Sequence, residues 1–348
     1  MDPISQGALG ALAAQSVSDP ARLGKAAVIG ALAAMAPDID IFIQSSADPV
    51  LAWEYHRHFT HSLFFAPLGG LLCAGLFYLL LGRLWALRFS EVLIWSVAGF
   101  VTHGPLDLCT SYGTSLLWPV SDHRLSLDLV SVIDPLVTVP LLIATVFAAR
   151  TSRRWIAVTG LIWLLVYLFV GAIQQNRVET VAIETARSRG HQGNYLRTLP
   201  TLGNLLVWRT VYEHNGQFYI DGVGAGPLGT VRWTGETVPV ADPRISWAGV
   251  APDSQSWKDI QRFAHFSQGY MGYLPANGEY RVGDVRYAAT PTETETLWGI
   301  VVQTDAAPTD HVGRFEPSSG GIVRLANLWQ QIQKTWSASG TTATAPSE

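Results

Sequence analysis

The sequence predicts an α-helical polytopic membrane domain followed by a C-terminal β-rich soluble domain of the α+β type. Three observations predict it. Charge is scarce: of the 348 residues, 48% are hydrophobic and 14% charged, against roughly 25% charged in an ordinary soluble domain. The uncharged runs lie in the first half, where residues 62–82 and 155–174 hold no charged side chain and 132–149 only Asp134. Beyond about Asn176 the chain turns polar, and short stretches alternate apolar with polar residues, the period of half-buried strands.

The elements follow in order. A hydrocarbon core takes about 20 apolar residues as helix. Segments 5–17 and 24–36 are too short for that and rich in Gly and Ala. They fit a half-depth helical hairpin turned at SDPAR (18–22). Segments 62–82, 91–110, 131–149 and 155–174 are the four expected membrane helices. Short loops carry Arg22 and Lys25, then Arg83 and Arg88, then Arg150, Arg153 and Arg154. Successive passes put these clusters on one side, the cytoplasmic one. The other side receives Asp38, Asp40, the histidines at 56–61, the loop 111–130 and everything after 175. Residues 1–175 are thus expected as the membrane domain, 176–335 as an extracytoplasmic soluble domain, and 336–348 as a disordered tail. Strands are expected near 217–223, 230–234, 278–287 and 297–304, with helices near 256–267 and 321–334. Net charge is −4 with no basic block, which argues against nucleic acid as a partner. Asp2 stands where a signal peptide has positive charge, so no cleaved signal is expected. The two cysteines, Cys73 and Cys109, lie in apolar segments and do not decide the redox compartment.

Four patches are too polar for their surroundings: PDID with Asp38 and Asp40, HRHFTHS with His56, Arg57, His58 and His61, THGPLDLCT with His103 and Asp107, and WPVSDHR with His123 and Arg124. All four fall at one membrane face in the expected topology. Histidine with carboxylate is the donor set of zinc or a related divalent metal. His103 and Asp107 are four apart and share a helix face. His56 and His61 are five apart, which a regular helix splays by about 140°, so they converge only through an irregular turn capped by Thr60 or Ser62. A single His or Asp at an interface is commonly a satisfied cap or snorkelling group; the joint pattern has no such structural purpose. His58 and His123 are not expected to ligate. Asp134 in VIDP reads equally as a helix-capping group or as support for the site. His191, His214, His265 and His311 are scattered, and no metal spacing links them.

The stretches MDPISQGALGALAAQ, APDID, YHRHFTHSLFF, THGPLDLCTSYGTSLLWPVSDHR and VIDPLVTVPLL resemble the successive signatures of a bacterial family of membrane-bound metal-dependent hydrolases, also described as LexA-binding, inner-membrane-associated hydrolases. The pattern H-R-x-x-T-H-S is met by His56, Arg57, Thr60, His61 and Ser62, and H-x-x-x-D by His103 and Asp107. The resemblance covers about the first 145 residues. LPTLGNLLVWR, FSQGY and GDVRY resemble the soluble extension of one branch. Many members carry His near position 6, where this chain has Gln6. The resemblance implies a multi-pass protein of the bacterial inner membrane.

Two classes of function follow. As a hydrolase, the chain would hold one or two divalent ions, zinc first, on Asp40, His56, His61, His103 and Asp107, with Asp38 a ligand or general base. Arg57 and Arg124 would bind an anionic group, most simply a phosphate. A site at the extracytoplasmic interface faces the lipid bilayer, so a phosphoester of a lipid-like or envelope substrate is expected. Alternatively the metal is structural and the soluble domain binds an envelope partner; a structural site would be coordinatively closed.

Overall fold

The computed structural model describes residues 1–241, 250–274, 279–303, 306–315 and 321–345. The chain divides into two compact units: 1–43 with 55–172, and 44–54 with the residues from 173 onward.

The first unit opens with helix α1 (Pro3–Ser16), capped by Asp2, whose carboxylate accepts from the Ile4 and Ser5 amides at 3.1 and 3.0 Å. Pro3 fits here because the first helical amide has no intrahelical partner. Asp19 likewise caps the turn into α2 (Leu23–Met35), so the predicted hairpin forms with its corner at the predicted place. A 3-10 turn, Ala36–Phe42, follows. After α3 (Leu51–Tyr55) and a second 3-10 turn at Phe59–His61 come α4 (Ala66–Phe77), continued by a π turn at Tyr78–Gly82, and α5 (Phe89–Leu108). Helices α6 (Pro135–Thr151) and α7 (Arg154–Ser188) complete it, the division between units falling inside α7.

Helices α1, α2 and α5 meet at three glycines. A Cβ on Gly99 would lie 2.2 Å from the Gly30 carbonyl oxygen, and one on Gly10 would lie 2.5 Å from the same atom. No side chain fits, so glycine sets the separation of these helices. The junction stands one turn before His103 on α5, two turns before Asp38 on the α2 side, and one turn after Gln6 on α1.

Of the four long segments expected to cross a membrane, α7 is the one helix among the described residues long and apolar enough to do so by itself. The segment 131–149 becomes the 17-residue α6, and 62–82 is held in a turn until Ala66, where Pro67 starts the helix. Their surfaces are nonetheless apolar: Leu72, Leu79, Leu80, Phe147, Leu165 and Phe169 are each more than half exposed. Apolar exposure on this scale marks a surface that meets something other than water.

The second unit holds two sheets. In the larger, β1 (Asn194–Pro200), β2 (Val207–His214), β3 (Gln217–Ala225) and β4 (Leu228–Pro239) run antiparallel, and β9 (Ser339–Ala345) adds parallel to β4. The smaller is antiparallel, β5 (Met271–Tyr273), β6 (Tyr280–Asp284), β7 (Gly299–Val302) and β8 (Gly313–Phe315). Helix α8 (Gln255–Phe266) buries Ile260, Phe263 and Phe266 along one stripe, and α9 (Gly321–Ser337) follows β8. The predicted strands appear as β3, β4, β6 and β7, although residues 275–278 and 304–305 lie outside the described ones. The sequence reading missed β2, whose first six residues are all buried: a strand covered on both faces loses the alternation that reveals a half-buried one. It also placed 336–348 in a disordered tail. Residues 339–345 are instead a strand, because the edge of β4 offers unpaired backbone groups to it, and 346–348 lie outside the described residues. Residues 44–54, assigned by the linear reading to the membrane domain, pack within the second unit.

Gly99→Ala should push α5 off α2. We expect a loss of about 1–3 kcal/mol, the usual cost of overpacking, read as a lower thermal midpoint of the detergent-solubilised protein.

Candidate metal centre

Asp38 and Asp40 lie on the 3-10 turn after α2. Asp40 is buried and Asp38 partly so, while Ile39, Ile41 and Phe42 point outward. Pro37 begins the turn, and its fixed φ disfavours continuing the α-helix through it.

The HRHFTHS stretch abandons helical geometry as its spacing required. Arg57 takes a left-handed backbone conformation, φ 61°, and the 3-10 turn Phe59–His61 follows. His56 and His61 thereby come to one place, their ring centroids 5.9 Å apart. Both are anchored on Asp40. His56 Nδ1 donates to Asp40 Oδ1 at 2.8 Å. Asp40 Oδ2 accepts from the Arg57 amide at 3.0 Å and Thr60 Oγ1 at 2.8 Å, and lies 3.1 Å from His61 Nδ1. Asp40, predicted as a ligand, is thus committed to holding the two imidazoles. A ring whose Nδ1 donates presents its Nε2 lone pair outward.

Helix α5 supplies the partners. A Cβ on Gly104 would lie 2.3 Å from the His61 carbonyl oxygen, so the His61 turn seats directly on this helix. His103 Nδ1 donates to the Ala34 carbonyl at 2.5 Å, which turns its Nε2 toward His61. The two Nε2 atoms stand 2.8 Å apart. Asp38 Oδ1 is 3.4 Å from each, and Asp107 Oδ2 is 3.2 Å from His61 Nε2 and 3.4 Å from His103 Nε2. These distances gather the four donor atoms into one cluster, all within 4.8 Å of one another. Donors bound at about 2.0–2.1 Å around a tetrahedral ion stand about 3.3–3.4 Å apart. His61, His103 and Asp107 are buried and Asp38 is partly exposed.

The donor set, two imidazoles and two carboxylates, fits a divalent cation. Asp107 Oδ1 accepts from Gln6 Nε2 at 2.9 Å, whereas Oδ2 is buried without a hydrogen bond. That oxygen has nitrogen neighbours instead, the Arg57 Nε at 3.3 Å and the two imidazole Nε2 atoms at 3.2 and 3.4 Å. Burial opposes ionisation of Asp38 and Asp40, yet hydrogen bonds from His103 and His61 to the first, and from His56 and His61 to the second, hold both well below the usual carboxylate range. Burial opposes charge on His61 too, but hydrogen bonds to Asp107, Asp38 and Asp40 outweigh it and push its pKa up to about 10. Positive charge already reaches the pocket from the buried Met1 ammonium, which donates to Asp107 Oδ1, and from Arg57 beside Asp107 Oδ2; a proton on His61 or a bound cation adds to it.

The predicted arginines are both buried. Arg57 Nε lies 3.3 Å from Asp107 Oδ2 and Nη1 donates to Thr110 Oγ1 at 2.7 Å. Arg124 Nη2 donates to the His56 and Gly113 carbonyls at 3.0 and 2.9 Å, bracing the histidine turn. Both guanidinium groups cover the ring of Tyr112, at 4.8 and 5.5 Å, a residue that sequence reasoning missed because a lone tyrosine in a loop carries no spacing signal. His58 stands among the rings of Tyr55, Phe59 and Trp118. Asp134 caps α6 through the Leu136 amide and accepts from Tyr167.

Two further groups bring donor atoms within 4.8 Å of one another. Asp38, Asp40 and His56 form one, with Asp40 already committed as described. Asp48, Asp259 and His311 form the other, in the second unit, where Arg262 donates to both carboxylates.

A sequence model of the YdjM inner membrane protein family matches residues 1–178, half of the chain, so the chain belongs to that family. It is also similar to the uncharacterized protein YfhP of Bacillus subtilis (strain 168), 26% identical over 275 residues that make up 78% of this chain and 80% of that protein. No solved structure matches.

His61→Ala should reduce bound metal in the purified protein to background, and His58→Ala should leave it nearly unchanged, by elemental analysis. Metal entry displaces the His61 proton. With the pKa raised from 6.5 to about 10, affinity should climb about tenfold per pH unit across that window and level off above it, by competition with a chelator. The sign is opposite for the metal-free fold: charged His61 stabilises it fully below pH 6.5, and that contribution fades as pH rises toward 10.

Proposed function

We propose that this member of the YdjM inner membrane protein family is a multi-pass membrane hydrolase that uses zinc to cleave a phosphoester of a lipid-like or envelope substrate at the extracytoplasmic face. The observation that carries the reading is the juxtaposition of two imidazole Nε2 atoms and two carboxylate oxygens, all within 4.8 Å of one another. A divalent cation held there supplies Lewis acidity, polarising a phosphoryl oxygen and acidifying water.

The chain's own residues then divide the work. His61, His103 and Asp107 are the buried holders. Asp38 alone of the four reaches solvent, its side chain 19% exposed against 0–1% for the others. We assign it the proton-accepting role on the open side. Asp40 fixes His61 and His56 through its two oxygens. The Arg57 guanidinium, beside Asp107, offers charge to an anionic group, and Arg124 keeps the His56 turn in place. Ile39, Ile41 and Phe42, outward on the same turn as Asp38, suit acyl chains beside a polar head group. In this reading α4 with its π turn, α5, α6 and α7 are the spanning segments, and the loop charges at Arg22, Lys25, Arg83, Arg88 and Arg150–Arg154 mark the cytoplasmic side.

One observation favours a second reading. The cluster already offers four protein donors, the number with which a structural zinc site is built. In that case the protein is non-catalytic, and the C-terminal unit binds a partner in the envelope.

Asp38→Asn separates the two. If Asp38 is the base, the variant keeps its zinc and loses phosphodiesterase activity on labelled phospholipid by about 100-fold or more, the usual contribution of a positioned base. If zinc is lost with the carboxylate, the site is closed and structural.

A further inference from the structure

The chain between the two halves of the metal centre is built into the C-terminal unit. Asp38 and Asp40 precede it, His56 and His61 follow it, and residues 44–54 between them pack with the residues from 173 onward. The attachment is specific. Trp53, buried, stacks on Phe266 of α8 with ring centroids 5.7 Å apart and planes 15° from parallel, and tilts against Phe263 at 5.3 Å. The Arg314 guanidinium covers its ring at 4.6 Å. Arg262, also on α8, donates through Nε to Glu54 at 2.8 Å and through Nη1 to Asp48 and Asp259, each at 3.0 Å. Asp48 in turn caps the start of α3, accepting from the Val50 and Leu51 amides at 3.1 Å. His311 closes the knot with a 2.7 Å hydrogen bond to Asp259.

A free surface loop needs no aromatic anchor and no cation shared by three carboxylates. Loops are ordinarily the variable, mobile parts of a fold, so tying this one down at both ends has a consequence for what it connects. Gln44 comes four residues after Asp40, and Glu54 two before His56. At about 3.3–3.6 Å per extended residue, so little free chain leaves the ligand turns hardly any slack.

We propose that residues 44–54 are a strap through which the C-terminal unit fixes the spacing of the Asp38–Asp40 and His56–His61 turns, with Trp53 and Arg262 as remote positioning residues. The proposal rests on the metal-centre reading above. It gives the C-terminal unit a role in the chemistry of the first unit: whatever shifts α8 pulls on the His56 turn. The carriers are the aromatic stack and the Arg262 ion pairs, both discrete contacts that a single substitution removes.

The test uses the full-length protein in detergent with two readouts. One is hydrogen exchange of the His58 and His61 amides in metal-free protein, where they donate to Tyr55 O and His58 O at 3.2 and 3.1 Å. The other is zinc affinity by chelator competition. Trp53→Ala and Arg262→Ala should each speed exchange and weaken zinc on the order of tenfold, the size of a remote coupling, with Arg262→Lys falling between Arg262→Ala and the unaltered protein. Val211→Ala, which loosens the sheet core of the same unit away from the strap, should leave both readouts unchanged. Arg262→Ala carries the test if Trp53→Ala fails to fold. Unchanged exchange in the strap variants, or equal losses in Val211→Ala, overturns the strap. Absence of zinc binding in the unaltered protein would refute the metal reading instead, and the exchange comparison would still decide the strap.

Discussion

The structure turns on two imidazole nitrogens 2.8 Å apart, where the Nε2–H of a charged His61 donates to the Nε2 lone pair of His103. Two carboxylate oxygens within 3.2–3.4 Å of these nitrogens favour that charge. The ring orientations that create this situation are imposed from behind. Asp40 Oδ2 lies 3.1 Å from His61 Nδ1, placed to accept its N–H, and the Ala34 carbonyl accepts from His103 Nδ1. Supporting hydrogen bonds of this kind orient the imidazoles as the rings of metal-ligating histidines are oriented. The His61 proton is kept against burial by hydrogen bonds to Asp107, Asp38 and Asp40.

Holding four donors to within a few tenths of an ångström needs rigid supports, and the helix junction provides them. Gly10, Gly30 and Gly99 let three helices approach to backbone contact. The donors sit within two turns of that contact, where little flexing can accumulate. Gly104 repeats the device for the His61 turn. Around this polar centre the helices present large exposed apolar side chains. Burial of His61, His103 and Asp107 makes charge interactions within the cluster stronger than they would be at a wet surface.

The site lies in the first unit, yet its two halves are joined through a segment built into the second. The division of labour along the chain is therefore not the division of labour in space.

Much of this was legible in the residues. The charge-free runs, the Gly- and Ala-rich hairpin, the four-residue spacing of His103 and Asp107 and the need for an irregular turn between His56 and His61 are local properties, fixed by helical period and backbone sterics, and each has its counterpart in the fold. Alternation revealed β3, β4, β6 and β7 but not β2, because burial on both faces erases the period. Which carboxylate of the Asp38–Asp40 pair joins the cluster and which stands behind the histidines was not legible. Both are aspartates two residues apart, and only the handedness of the 3-10 turn and the approach of Thr60 and His56 separate them. Nor did composition reveal that Arg124 braces backbone carbonyls, that residues 44–54 pack on α8, or that the chain end adds to β4. The sequence by itself determined which groups are available and how each segment prefers to run. The tertiary structure decided their partners, because hydrogen bonds, tautomers and packing between segments distant in sequence depend on helix separations that no local pattern encodes.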